Sequence, residues 1–128
     1  MSSRSIDDMS PDAKQQAGVF LSSCEASGLF VLVTCTWRTS AEQAALYAQG
    51  RTAPGPVVTW AKPGESEHEK RNALDVVPLR NGKPVWGTTG ADLALWQQVG
   101  ALGEAAGLEW AGRWPAKRRE FPHFQFKG

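Results

Sequence analysis

Four side chains in this sequence have the types and spacings that metal-assisted hydrolysis needs: His68, Asp75, Glu120 and His123. Histidine occurs only twice in the 128 residues, so any histidine chemistry must run through His68 and His123. A hydrolytic zinc site takes three protein ligands from imidazole nitrogen or carboxylate oxygen and keeps one position for water. His68, Asp75 and His123 are such a set. Glu120, three residues before His123, offers the carboxylate that would take a proton from water and pass it to a departing amine. Pro122 stiffens the backbone between the two.

Taken singly, each residue has a plainer reading. A lone histidine is more often an ordinary surface or core residue. Asp75 beside Val76 and Val77 can be a turn or edge position, and Glu120 can simply balance Arg118 and Arg119. The metal reading therefore depends on a fold that brings positions 68, 75 and 123 to one place.

The elements that must do this are legible in outline. Ser10-Pro11 opens a helix with a hydroxyl cap and a proline whose missing N–H costs nothing there. Ala17, Phe20, Leu21 and Cys24 follow at helical spacing, and Gly28 ends the run. Phe30 to Thr36 is β-branched and apolar, which predicts a buried strand. Thr39 with Glu42 forms a capping box for a helix running to Gly50. The Pro- and Gly-rich stretch from Thr52 to Gly64, with Trp60 in it, predicts a loop. Ala73 to Leu79 is a second strand carrying Asp75, and Asn81-Gly82 turns it back onto Pro84 to Trp86. Thr89 and Asp92 open a third helix with Leu93, Trp96, Val99 and Leu102 on its apolar side, ending near Gly107. Phe121 to Phe126 is a last strand in which Phe121, His123 and Gln125 share one face. This order predicts an α+β domain, with helices packed on a small, mainly antiparallel sheet.

Composition narrows the function classes. A chain of 128 residues fits one compact domain spanning 1–128. Fourteen Lys and Arg against 13 Asp and Glu leave a net charge of +1, which removes the usual electrostatic case for nucleic-acid binding. No apolar run approaches the ~20 residues of a membrane span. Met1 to Ser10 lacks the apolar core of a secretory signal, so a cytoplasmic protein is expected, unless a signal was removed ahead of this numbering. Cys24 and Cys35 lack the spacing of a zinc knuckle; two buried thiols are expected, with a disulfide as the alternative.

Ser66-Glu67-His68, Ala73-Leu74-Asp75 and Glu120-Phe121-Pro122-His123-Phe124-Gln125 resemble the zinc-binding motifs of the D-Ala-D-Ala carboxypeptidase and L-alanyl-D-glutamate endopeptidase family. Val33 to Thr39, with Gln43 and Leu46 to Thr52, is similar to that family's upstream segment, especially in phage endolysins. Gly107 to Trp110, with Gly112 and Trp114, resembles the stretch before the last zinc histidine. The likeness runs from about Ser10 onward with all motifs in order.

The resemblance implies a Hedgehog/D-Ala-D-Ala-peptidase-like fold, Zn2+ on His68, Asp75 and His123, and Glu120 as the base. It implies that Arg38 polarises the scissile carbonyl or holds a substrate carboxylate, a structural salt bridge being the alternative, and that Ser66 and Gln43 flank the substrate. The implied activity is hydrolysis of the L-Ala–D-Glu bond in the peptidoglycan stem peptide. The alternatives are a D-Ala-D-Ala carboxypeptidase or a zinc-binding module without turnover. A monomeric endolysin held in the cytoplasm until lysis is the expected setting. Two positions depart from the family pattern: Arg71 stands where relatives have Gly, and Arg113 where many have Asp. Arg71 thus predicts a reshaped or strained loop. Lys70, Arg71 and Arg113 either add positive charge where stem carboxylates bind or lie outside the groove. Of six tryptophans, Trp37, Trp60, Trp110 and Trp114 fall near the motifs as cleft candidates, while Trp86 and Trp96 are expected in the core.

Overall fold

The computed structural model describes residues 2–127. After a 3-10 turn at Ile6–Asp8, the chain forms α1 (Pro11–Ala26), β1 (Val31–Cys35), α2 (Ser40–Ala48), β2 (Ala73–Arg80), β3 (Lys83–Pro84), α3 (Gly90–Ala105), β4 (Leu108–Trp110) and β5 (His123–Phe126). The main sheet runs β1-β2-β5-β4, antiparallel throughout, with β3 hairpinned onto β2. No helix among the described residues is long and apolar enough to cross a membrane.

The sheet has one greasy face. Leu74 pairs with Phe124, and Phe124 with Trp110, so successive strands set large apolar groups side by side. Helices α1 and α3 cover that face with Ala13, Ala17, Phe20, Trp96 and Val99, all essentially buried. Gly100 and Gly103 make the close approach of α3 work. A Cβ at either would collide with the ring of Trp110 or Phe124, so the helix backbone itself lies against the aromatics. Strand alternation sends Asp75, His123 and Gln125 to the opposite face.

Several local expectations change in the folded chain. The Thr39–Glu42 capping box forms as expected. The Ser10 hydroxyl instead donates to Asn72 Oδ1 at 2.7 Å, tying the start of α1 to the approach of β2. Strand β1 lies at the sheet edge, so only Cys35 in it is fully buried, and Leu32 stays exposed. Trp86 is 57% exposed and not a core residue, because the hairpin that carries it ends at Pro84. Trp96 is buried, its indole N–H donating to the Gly87 carbonyl at 2.9 Å. The last strand starts at His123, two residues late, since His123 N–H first turns back to the Glu120 carbonyl. Strand β4 is too short to have been read from periodicity. Cys24 and Cys35 are both free and buried.

Candidate active site

The β2–β5 ladder sets Asp75 directly opposite His123. His68 arrives from the turn-rich segment just before β2. The three inner donor atoms form a tight triangle. His68 Nε2 lies 3.0 Å from Asp75 Oδ1, His123 Nδ1 lies 3.2 Å from the same oxygen, and the two nitrogens are 3.2 Å apart. Tetrahedral ligands at zinc bond lengths of about 2.0–2.1 Å sit roughly 3.3 Å from one another. The spacing fits one small cation.

The outer face of each ring decides which nitrogen points inward. His68 Nδ1 donates to the Thr36 carbonyl at 2.8 Å, which leaves the Nε2 lone pair for the centre. His123 Nε2 donates to Gln125 Oε1 at 2.8 Å, which leaves its Nδ1. Two inward lone pairs facing one carboxylate oxygen repel unless a cation or proton lies between them. The electrostatics of the metal-free protein say the same. Burial opposes a charge on His68, but the Asp75 carboxylate outweighs it and pushes the imidazole up to about 10. Burial would likewise raise Asp75, yet the two histidines hold its carboxyl well below the usual carboxylate range.

His68 is held from both sides in sequence. Its N–H donates to Ser66 Oγ at 3.2 Å, and its carbonyl accepts from the N–H groups of Arg38 and Arg71, each at 3.3 Å. Thr36, fully buried, is fixed by the N-terminal segment: its N–H reaches the Ser3 carbonyl and its hydroxyl the Ser5 carbonyl, both at 2.7 Å. Arg71 has a left-handed backbone, φ 64°, the region in which glycine alone is free of steric cost. Its guanidinium lies 4.2 Å over the Trp37 ring and donates to the Asp8 carbonyl at 3.1 Å.

These residues open into a cavity of about 500 Å³ lined by His68, Asp75, His123, Glu120, Arg38 and Ser66, with Trp60, Trp114 and Arg118 farther round its wall. Burial pushes the Glu120 carboxyl above its ordinary range; His123 opposes the shift and the Asp75 charge adds to it. A carboxylate so poised accepts a proton near neutral pH more readily than a solvated one. Arg38 donates through Nη1 to Gln43 Oε1 at 2.8 Å and through Nη2 to Cys35 Sγ at 3.3 Å, and the same Nη2 lies 4.0 Å from Asp75 Oδ2. Its Nε is buried with no partner among the described residues.

Gln43, expected beside the substrate, is fully buried and lies outside the cavity wall. Its amide joins Arg38 to Thr59 Oγ1 at 3.3 Å and to the Ala61 carbonyl at 2.8 Å, so it aims the guanidinium from behind. Lys70, Arg71 and Arg113 also lie outside the cavity wall, Lys70 paired with Glu67 and Arg113 with Glu104. Trp37 serves as the platform for Arg71, and Trp110 is core. Trp114 stands 5.7 Å from the His123 ring, its indole N–H on Glu109. Gln125 received no role from the sequence, although its period-two spacing from His123 is the signal that places both on one face. The Thr36 carbonyl carries no side-chain signal at all.

Comparison with known proteins agrees with this arrangement. The family model described as D-alanyl-D-alanine carboxypeptidase matches residues 60–126, the span that holds the whole donor triangle and Glu120. The peptidoglycan L-alanyl-D-glutamate endopeptidase CwlK of Bacillus subtilis is 32% identical over 124 residues, covering 92% of this chain and 73% of that protein. The solved L-Ala D-Glu endopeptidase ChiX of Serratia marcescens shares the fold with a TM-score of 0.70 at 21% identity, over 99% of this chain and 89% of that one. A VanY D,D-pentapeptidase variant in complex with Zn(II) matches with a TM-score of 0.68 at 16% identity, over 94% of this chain and 73% of that one. On the family match over half the chain and the identity to CwlK, this chain belongs to the D-alanyl-D-alanine carboxypeptidase family of peptidases.

Proposed function

We propose that this protein is a zinc-dependent peptidoglycan hydrolase that cuts the L-Ala–D-Glu bond of the stem peptide. The observation that carries the proposal is the three-donor triangle of His68, Asp75 and His123, sharing a cavity with Glu120. When bound by these three residues, zinc supplies a Lewis acid that polarises a carbonyl and lowers the pKa of water. Glu120 takes the proton from the attacking water and returns it to the amine as the C–N bond breaks. Arg38, aimed by Gln43, sets its positive charge against the oxygen on which negative charge develops. Ser66 steadies His68 through its backbone N–H. The bond choice is supported by the endopeptidase relative at 32% identity. An endolysin role in lysis is proposed on the upstream segment's likeness to phage enzymes.

D-Ala-D-Ala carboxypeptidase activity is the second reading, favoured by the description of the matching family. The two bonds share one chemical pattern, a carboxylate on the carbon after the scissile nitrogen, so a guanidinium such as that of Arg38 suits either. Mass spectrometry of purified peptidoglycan, incubated with the protein with and without a zinc chelator, tests both. Chelator-sensitive release of peptides beginning at D-Glu supports the endopeptidase. Loss of only a terminal D-Ala moves the activity to the carboxypeptidases, and no product from the zinc-loaded protein refutes hydrolysis.

A further inference from the structure

The segment between α2 and the metal ligands is irregular yet tightly tied. Arg51 donates to the Thr59 carbonyl at 3.0 Å, Gln43 to the Ala61 carbonyl at 2.8 Å, and Gln49 to the Pro56 carbonyl at 3.0 Å. These bonds fix the backbone from beneath, while the side chains above them face water. Val57, Val58 and Trp60 are 43%, 46% and 53% exposed. Three of the seven large hydrophobics left exposed among the described residues therefore fall within four positions. Val58 and Trp60 belong to the wall of the cavity that holds the metal ligands. Arg51 braces this wall, its guanidinium carbon 3.8 Å over the Tyr47 ring and 5.8 Å from that of Trp60. Exposed apolar side chains in and beside the wall of a cavity that also holds His68, Asp75 and Glu120 point to a surface that a ligand covers.

The chemistry of the proposed substrate limits what that ligand can be. Close to the L-Ala–D-Glu bond the stem peptide offers only a methyl group and a carboxylate-bearing chain, with little flat apolar surface. The neighbouring polymer component that does offer one is the pyranose ring, whose axial C–H groups make a face that matches an indole. That sugar lies one residue and a lactyl link before the scissile carbonyl. For the D-Ala-D-Ala bond it would lie four residues away, at about 3.5 Å per extended residue.

We propose that Trp60, with Val58 beside it, is a saccharide subsite that takes the amino sugar carrying the stem peptide, so that glycan-linked stems are cut in preference to free ones. This inference depends on the endopeptidase reading for its placement of the sugar. The test compares kcat/KM for the stem tetrapeptide attached to N-acetylmuramic acid with that for the same peptide capped by N-acetyl at L-Ala. The wild-type protein should favour the sugar-linked substrate by about three- to tenfold, the scale of one aromatic stacking contact. In Trp60→Ala that ratio should fall to about one, and Trp60→Phe should restore part of it. A wild-type ratio near one, or a ratio that Trp60→Ala leaves intact, overturns the subsite while the peptidase assignment stands. If neither substrate is cut, the peptidase assignment fails, and titration of the 15N-labelled protein with the N-acetylglucosamine–N-acetylmuramic acid disaccharide decides the subsite alone. A shift of the Trp60 indole resonance supports it, and an unmoved indole overturns it.

Discussion

Arg71 adopts a left-handed backbone, φ 64°, while its guanidinium rests 4.2 Å over the ring of Trp37. Three residues earlier stands His68, a proposed metal ligand, whose carbonyl accepts from the Arg71 N–H. The loop that delivers His68 thus keeps the turn of a glycine without having one. A non-glycine residue in this region costs about 1–2 kcal/mol, and the cation–π contact with the hydrogen bond to Asp8 offsets an amount of similar size.

The offset can be separated by two substitutions. Arg71→Ala keeps the strained φ and loses both side-chain contacts, and should destabilise the protein by about 1–2 kcal/mol. Arg71→Gly loses the same contacts but relieves the backbone, and should lie within about 1 kcal/mol of the parent. Urea denaturation of the metal-free proteins checks the order; an alanine variant as stable as the glycine variant would refute the compensation.

Glu120→Gln should retain zinc and the fold while losing turnover by about 10²–10⁴-fold, the usual contribution of one positioned base. Metal content and product release, measured on the same preparation, separate the two effects. Near-parental turnover would remove Glu120 from the proton-transfer role.

Gln125→Leu should weaken zinc binding by about 10–100-fold, because His123 loses the acceptor that fixes its tautomer. His123→Ala should abolish tight binding altogether. Competition with a chromogenic chelator reads both, and a metal-replete His123→Ala protein would refute that ligand.

The metal-free protein should lose stability as pH rises toward 10. His68 is raised in the folded state from its ordinary 6.5 to about 10, so folding favours its protonated form. That contribution is fully present below pH 6.5 and disappears as pH passes through the folded value. Zinc must displace the same proton, so apparent zinc affinity should rise over this window. Chemical denaturation and chelator competition at several pH values test both directions. Zinc affinity independent of pH would show that His68 carries no proton to displace.

Much of this protein follows from sequence alone. The capped start of α2, the strand holding Asp75 and the loop around Trp60 are set by short-range rules: proline and glycine limits on φ, capping chemistry, and alternation along a strand. The four candidate site residues were singled out by the scarcity of histidine, only two in the chain, and by the resemblance of the motifs that carry them to a known family.

Tertiary structure decided the rest. Only the β2–β5 register brings Asp75 opposite His123, and register depends on pairing residues 48 apart. Edge position exposes β1, and the early end of the β3 hairpin exposes Trp86, neither of which local hydrophobicity can report. Gln43 lies buried behind Arg38 and outside the cavity wall, a placement the sequence could not give because a polar side chain looks the same there whether it faces a ligand or a buried guanidinium. The Thr36 carbonyl, which orients His68, belongs to the backbone every residue shares. Its role comes from the fold that aims it, not from the residue that carries it.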